Sequence, residues 1–310
     1  MTTCVLIHNP ASRSTLRPER MAQVLELLRT GGWDVTYRPT ERAGHATALA
    51  REAAERGADV VLVNGGDGTI NEAVNGLAGS HTALAVLPGG TANVWAKEMH
   101  IDRDPAKAAR IALAGERRQV DLGRAGDRYF LLMAGVGLDA AIIPLIGERL
   151  KRRLGALAYV VAGAGTALRT KGWPVRLTVD GATSDTSLAW MVAGNTRSYG
   201  GLVSITHRAV AVDGLLDVAL MHRGGLWRLL ADGIRLLFRR HDRSPNVTYT
   251  RVSVVDIATA GIPVQVDGEP HGETPLRLEA VPGALWVVVP QGLRAAVVSP
   301  GGVVGLLPDP

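Results

Sequence analysis

The chain has 310 residues, 46% of them hydrophobic and 20% charged, which allows two domains and leaves no compositional case for disorder. One cysteine, Cys4, excludes a disulfide framework, and no cationic segment followed by a long apolar run marks a signal peptide. The net charge of +5, from 34 Lys and Arg against 29 Asp and Glu, permits attraction to anionic lipid, nucleic acid or nucleotide without choosing among them.

In chain order, 4–8 reads as a buried strand and 17–30 as a helix with Met21, Val24, Leu25 and Leu28 on one face, ended by Gly31-Gly32. A second strand is predicted at 34–38, an Ala-rich helix at 44–56, a third strand at 59–63, a helix at 70–77 and a fourth strand at 83–87. Strands alternating with helices predict parallel βαβ units, whose ligands bind at the carboxyl ends of the strands. After about residue 120 short β-type segments recur, at 129–134, 175–179, 188–192, 216–221, 247–255, 263–266, 276–280 and 285–289. Asp180-Gly181, Asp213-Gly214 and Asp267-Gly268 punctuate them, as in an antiparallel sandwich or barrel. Helical stretches interrupt the pattern at 141–170 and 226–239. The division expected is an α/β domain over 1–120 and a β-rich sandwich over 121–310, with a cleft between them and the last residues returning to the first domain.

Three loops of the first part carry polar or Gly-rich chemistry. The third strand runs into Asn64-Gly65-Gly66-Asp67-Gly68-Thr69, and a Gly-rich turn into a helix brings backbone N–H groups and a partial positive charge to a phosphate. Asp67 would repel phosphate unless it accepts a ribose hydroxyl, caps an N–H or reaches a cation; a plain turn with Asp67 or Thr69 as N-cap fits the same residues. The fourth strand ends in Pro88-Gly89-Gly90-Thr91-Ala92-Asn93, and the first in His8-Asn9-Pro10-Ala11-Ser12-Arg13-Ser14, where Asn9, Ser12 and Arg13 offer donors.

Together with Thr40 and Gly44-His45-Ala46, these segments closely resemble the bacterial diacylglycerol kinase-like lipid kinases, relatives of sphingosine and ceramide kinases and, more distantly, of NAD kinases. The resemblance continues through Gly135-Val136-Gly137-Leu138-Asp139, Asn195-Thr196, 212–217 and Val266-Asp267-Gly268-Glu269, up to about Pro290. It implies a Rossmann-like, NAD kinase-like first domain that binds ATP through Asn9, Pro10, Ala11, Ser12, Arg13, Thr40, Gly65, Gly66, Asp67, Gly68, Thr69, Ile70, Asn71 and Thr91. It further implies a magnesium-binding turn in which the Asp213 carboxylate is joined by the carbonyls of Val210 and Leu215, an oxygen-only set. Asp267 or Glu269 is the implied base toward the lipid hydroxyl, with the choice between them open. Bare Asp-Gly hairpin turns are common, so on pattern alone both turns also read as structural. Where relatives often have Gly or Lys after Asn-Pro, this chain has Arg13.

The expected activity is transfer of the γ-phosphoryl group of Mg-ATP to a lipid hydroxyl, diacylglycerol first among the candidates. An NAD kinase-like phosphotransferase and a silent nucleotide or lipid sensor are the alternatives. The segment 142–168, with Arg149, Lys151, Arg152 and Arg153 among leucines, reads as a helix for an anionic membrane surface or as a solvated basic face. Its most apolar part, 155–168, is shorter than the roughly 20 residues that span a bilayer, so the expected location is cytoplasmic, peripheral to the inner face of the membrane. Six Trp scattered singly argue against nucleic acid, no His/Cys/Asp spacing fits zinc, and a homodimer is left open.

Overall fold

The computed structural model describes residues 1–142, 172–201, 203–293 and 296–298, which divide into two compact units. The first comprises Met1–Leu122, Arg208–Gly214 and Pro282–Pro310, and the second Gly123–His207 and Leu215–Val281. The division therefore differs from two consecutive blocks at 120/121: the chain re-enters the first unit twice.

In the first unit, strands β1 (Thr2–His8), β2 (Trp33–Pro39), β3 (Val60–Gly65) and β4 (Ala83–Pro88) run parallel in the order β2-β1-β3-β4. The sheet is extended beside β4 by the end of β16 (Leu276–Val289), where Trp286 lies opposite Ala83 and Val287 opposite Leu84. Every residue of β3 and β4 is buried, as expected of parallel strands covered on both faces. Helix α1 (Pro18–Thr30) opens with Pro in its first turn and buries Met21, Val24 and Leu28. Helices α2 (His45–Glu55), α3 (Asp67–Leu77), α4 (Val94–Glu98) and α5 (Pro105–Ala114) follow, the last capped by the Asp104 carboxylate on the N–H groups of Ala106 and Lys107. Cys4 lies in this core, and burial pushes its thiol up to about 12, so it stays protonated and unreactive.

Strand β5 (Glu116–Ala125) leads into the second unit, which contains β6 (Arg128–Phe130), β7 (Met133–Gly137), α6 (Leu138–Ile142), β8 (Trp173–Val179), β9 (Ala182–Leu188) and β10 (Trp190–Gly194). It continues with β11 (Leu216–Met221), α7 (Leu226–Leu237), β12 (Val247–Val252), β13 (Val254–Ile257), β14 (Pro263–Val266) and β15 (Glu269–Glu273). One antiparallel sheet has the order β12-β11-β10-β7-β14-β15; the other joins the first half of β16 to β13, β8 and β9. Val136, Met191, Val218 and Val264 from the first sheet pack with Val175, Leu177, Val255 and Leu278 from the second, the inward half of each alternation.

Three strand predictions are corrected. The run 129–134 is two strands in different sheets, β6 beside β5 and β7 beside β10 and β14, with the Leu131 and Leu132 N–H groups between them held by Asp267. The run 247–255 is two strands in different sheets, because the Asp180 carboxylate accepts the N–H groups of Ser253 and Val254 (3.0 and 2.9 Å) and turns the chain between them. The runs 276–280 and 285–289 are one strand, since the Gly283 N–H at the Pro-Gly step is bound by Asp121 (2.7 Å) and the chain continues extended. Helix α5, strands β5 and β15 and the mostly polar edge strand β9 went unpredicted. No helix among the described residues is long and apolar enough to cross a membrane, and the basic segment 149–153 lies outside the described residues.

Candidate active site

From β1 the chain moves to one side for β2 and to the other for β3, so the carboxyl ends of β1 and β3 flank the point where the strand order reverses. Such a point is where open parallel sheets leave a crevice for ligands. His8 and Asn64 are register partners there, and their side chains bond to each other at 2.8 Å. The buried Asn64 amide also donates to the Leu87 carbonyl (3.1 Å), tying β3 to β4. The loop after β1 is pinned by Asn9, whose N–H donates to the Asn64 carbonyl (2.9 Å) and whose amide donates to Thr69 Oγ1 (2.8 Å). The Thr40 N–H donates to the His8 carbonyl (2.8 Å) and the Ser14 N–H to the Gly89 carbonyl (2.9 Å). The four loops that carry Asn9 to Arg13, Thr40, Gly65 to Asn71 and Thr91 are thus knitted at one edge of the first unit.

The two Gly-rich turns touch through their main chains. A Cβ on Gly90 would fall 2.6 Å from the Gly66 Cα, and one on Gly65 would fall 2.6 Å from the Thr69 Cβ. Only glycine allows this approach. No N-cap side chain bonds into α3, and past the Asp67 N–H, which its own carboxylate meets, the first-turn N–H groups of Gly68 and Thr69 face the start of the helix. Ser12 Oγ is buried without a hydrogen-bond partner, an orphan that a phosphate oxygen would satisfy.

Asp67 has a task that the sequence left among several. Its carboxylate accepts the Val94 N–H at 2.7 Å, at the N-terminus of α4, so it holds the Pro88–Asn93 turn from below. Burial raises its carboxyl above the ordinary range, opposed by the N–H groups of Val94, Asn93 and Trp95. Glu72 does the equivalent for α2, accepting the N–H groups of Gly44 (2.8 Å) and Ala46 (3.1 Å). The side chains of Ile70 and Asn71 are buried, and the Ile70 N–H is spent on the Gly66 carbonyl, which leaves these two residues shaping the turn from within. Arg13 and Thr91 are exposed.

Val210 and Asp213 lie in a returning segment of the first unit, and the chain passes to the second unit at Leu215. Gly214, at φ +73°, gives its N–H to the buried Asp121 carboxylate (2.7 Å), whose other oxygen holds Gly283. Asp121 therefore fixes the turn, and nothing in the sequence near it signalled that role. Among the described residues no group of three His, Cys, Asp or Glu side chains gathers. A cation here would rest on one carboxylate, main-chain carbonyls and water, a set that fits magnesium.

In the second unit Val266 pairs with Glu269, leaving Asp267-Gly268 as a two-residue hairpin loop with φ of 48° and 84°. Both values lie in the left-handed region that Asp-Gly favours in such turns. The Asp267 carboxylate accepts the N–H groups of Leu131 (3.0 Å), Leu132 (3.0 Å) and Met133 (2.8 Å). Glu269 pairs instead with Arg128 and keeps 45% of its side chain exposed. Behind the turn, Gln265 Oε1 accepts the Gly268 N–H (2.7 Å), and Gln265 Nε2 donates to Asp139 (3.1 Å), which Tyr199 also meets at 3.2 Å. Burial lifts the Asp139 carboxyl to about 6 against those bonds. Gln265 and Arg128 carried no sequence signal.

The chain thus joins a parallel α/β unit, with paired Gly-rich turns at its switch point, to an antiparallel sandwich. Residues 3–125 match the diacylglycerol kinase catalytic domain and residues 133–289 the YegS C-terminal NAD kinase beta sandwich-like domain. The chain is 30% identical over 290 residues to the diacylglycerol kinase of Bacillus subtilis, covering 92% of this chain and 96% of that protein. It is 36% identical over 273 residues to a Pseudomonas putida protein named "Probable lipid kinase YegS-like", covering 86% and 88%. A crystal structure of a diacylglycerol kinase from Bacillus anthracis shows the same fold, with TM-score 0.77 at 23% identity over 94% of this chain and 97% of that one. The chain belongs to the diacylglycerol kinase family of lipid kinases.

Proposed function

We propose that this enzyme transfers the γ-phosphoryl group of ATP to the hydroxyl of diacylglycerol, giving phosphatidic acid and ADP. The observation that carries the nucleotide half is the main-chain contact between Gly66 and Gly90 beside the uncapped α3 N-terminus, which concentrates N–H donors where phosphates need them. Asn9, Pro10, Ala11, Ser12, Arg13 and Thr40 line the nucleotide from the first two loops, Gly65 to Asn71 from the third and Thr91 from the fourth. Asp67 keeps the fourth loop in place rather than meeting phosphate.

Asp213, with the carbonyls of Val210 and Leu215, would hold magnesium, which would supply positive charge to neutralise phosphate. Glu269 is the better base of the two carboxylates, because the oxygens of Asp267 are engaged by three N–H groups while Glu269 is half-exposed beside Arg128. As the acceptor oxygen forms its bond to phosphorus and the β–γ bridge breaks toward ADP, the hydroxyl proton passes to Glu269.

The test is incubation with γ-labelled ATP, magnesium and a panel of diacylglycerol, ceramide, sphingoid base and NAD, followed by organic extraction. Label in phosphatidic acid is the expected result. Label confined to the aqueous phase, or nucleotide binding with no transfer, would sink the reading.

A further inference from the structure

The exposed large hydrophobic side chains among the described residues include Ile234 (60%) and Phe238 (72%), four residues apart on α7 and at its C-cap. At about 100° per residue, Ile234, Phe238, Ala231, Arg235 and Arg228 fall on one arc of about 120°, and all five are exposed. The buried Asp232 and Leu236 lie past the Arg228 edge of this arc. Arg239, Arg240 and Arg243 follow directly and are also exposed.

Beside this arc lies a concavity of about 600 Å³ whose walls include Arg223, Arg228, Arg235 and His222. Its floor is fixed by the buried Asp232, which accepts from Ser244 (2.7 Å), Asn246 (2.9 Å) and Arg235 (3.0 Å). Asn246 in turn clasps the Arg223 main chain at 3.0 Å in both directions. His222 is held by Thr186 (3.0 Å) and Thr248 (2.8 Å). Arg235 offsets the one carboxylate, Asp232, of the hollow, and Arg223 and Arg228 remain as a surplus of positive charge for an anion.

We propose that this face of the second unit docks on an anionic phospholipid membrane, with a headgroup phosphate in the Arg223/Arg228/Arg235 hollow and Ile234 and Phe238 inserted at the acyl boundary. Apolar side chains flanked by arginines on one helical arc match the layering of headgroup over acyl chain. The assignment rests on the lipid-kinase reading for its purpose, because a substrate dissolved in a bilayer requires the enzyme to come to it.

Co-sedimentation with phosphatidylcholine vesicles, with and without phosphatidylglycerol, tests it on the full chain. Wild type should bind the anionic vesicles and leave the neutral ones. Ile234→Ser with Phe238→Ser should weaken binding at least about tenfold, and Arg228→Gln with Arg239→Gln about thirtyfold. In both variants turnover of a water-soluble short-chain diacylglycerol should be kept, which also shows that they fold. Unchanged vesicle binding in both double variants overturns the proposal, as does equal binding of wild type to neutral and anionic vesicles. A change of oligomeric state in the Ile234/Phe238 variant would give the face to a second copy instead. If wild type turns over no short-chain diacylglycerol, the functional reading fails while the vesicle result still decides the docking face.

Discussion

The two units build their candidate sites from different materials. Around β1, β3 and β4 the first unit presents main chain, Gly66 against Gly90 and a helix start with no side-chain cap, on loops that the side chains of Asn9, Asn64 and Asp67 tie from within. The Asp267-Gly268-Glu269 turn of the second unit is set by side chains, through Asp267 on three N–H groups, Gln265 on Gly268 and Asp139 on Gln265. The close approach of Gly66 and Gly90 leaves no room for a Cβ, so the first surface is glycine. The second carries one carboxylate bound to three main-chain N–H groups and one paired with Arg128.

The sharpest way to break that contrast is to exchange the two carboxylates' fates. Glu269→Gln should lower kcat about a thousandfold with nucleotide affinity unchanged, read by single-turnover transfer and by ADP titration. Asp267→Ala should act on stability instead, costing about 3 to 5 kcal/mol in denaturant unfolding because three N–H groups lose their acceptor. A rate loss without a stability loss would reverse the roles assigned here.

The third test uses pH. Asp139 has an ordinary value of 3.8 and is lifted to about 6 by burial. Between those values the folded chain retains a proton that the unfolded chain releases. Stability is therefore full below the window and falls as pH rises through it, by up to about 3 kcal/mol. Asp139→Asn should flatten that slope in unfolding curves taken across the window; an unaltered slope would take Asp139 out of the network's energetics.

The smallest effect on stability belongs to the main-chain site. Gly90→Ala should cost about 2 kcal/mol as the Gly66 turn shifts, yet it should weaken ATP binding while Glu269→Gln does not. Calorimetric titration of the two variants against ATP would show whether the main-chain site and the turn fail independently.

Much of this was legible in the chain. The apolar runs of β1, β3 and β4 and the helical spacing of α1 fall within a few residues of their predicted positions, since covered parallel strands and one-faced helices have strong periods. The loops with Asn9, Gly65 to Thr69 and Thr91 were named from residue type. The split of 247–255 was not legible, because Asp180, which turns the chain there, stands 73 positions away from Ser253. Asp121, Gln265 and Arg128 were missed for the same reason, as each acts on a partner distant in sequence.

By itself the sequence determined the two-unit class, the Gly-rich turns and the kinase family, because strand period, glycine placement and motif order are local properties. Only the tertiary structure decided that Asp67 accepts the Val94 N–H, and that Asp267 accepts three N–H groups while Glu269 pairs with Arg128. It also decided that Ile234 and Phe238 face solvent beside arginines. Each depends on which groups a folded chain brings within hydrogen-bond reach or leaves uncovered, and a pairing of distant residues leaves no period in the sequence to read.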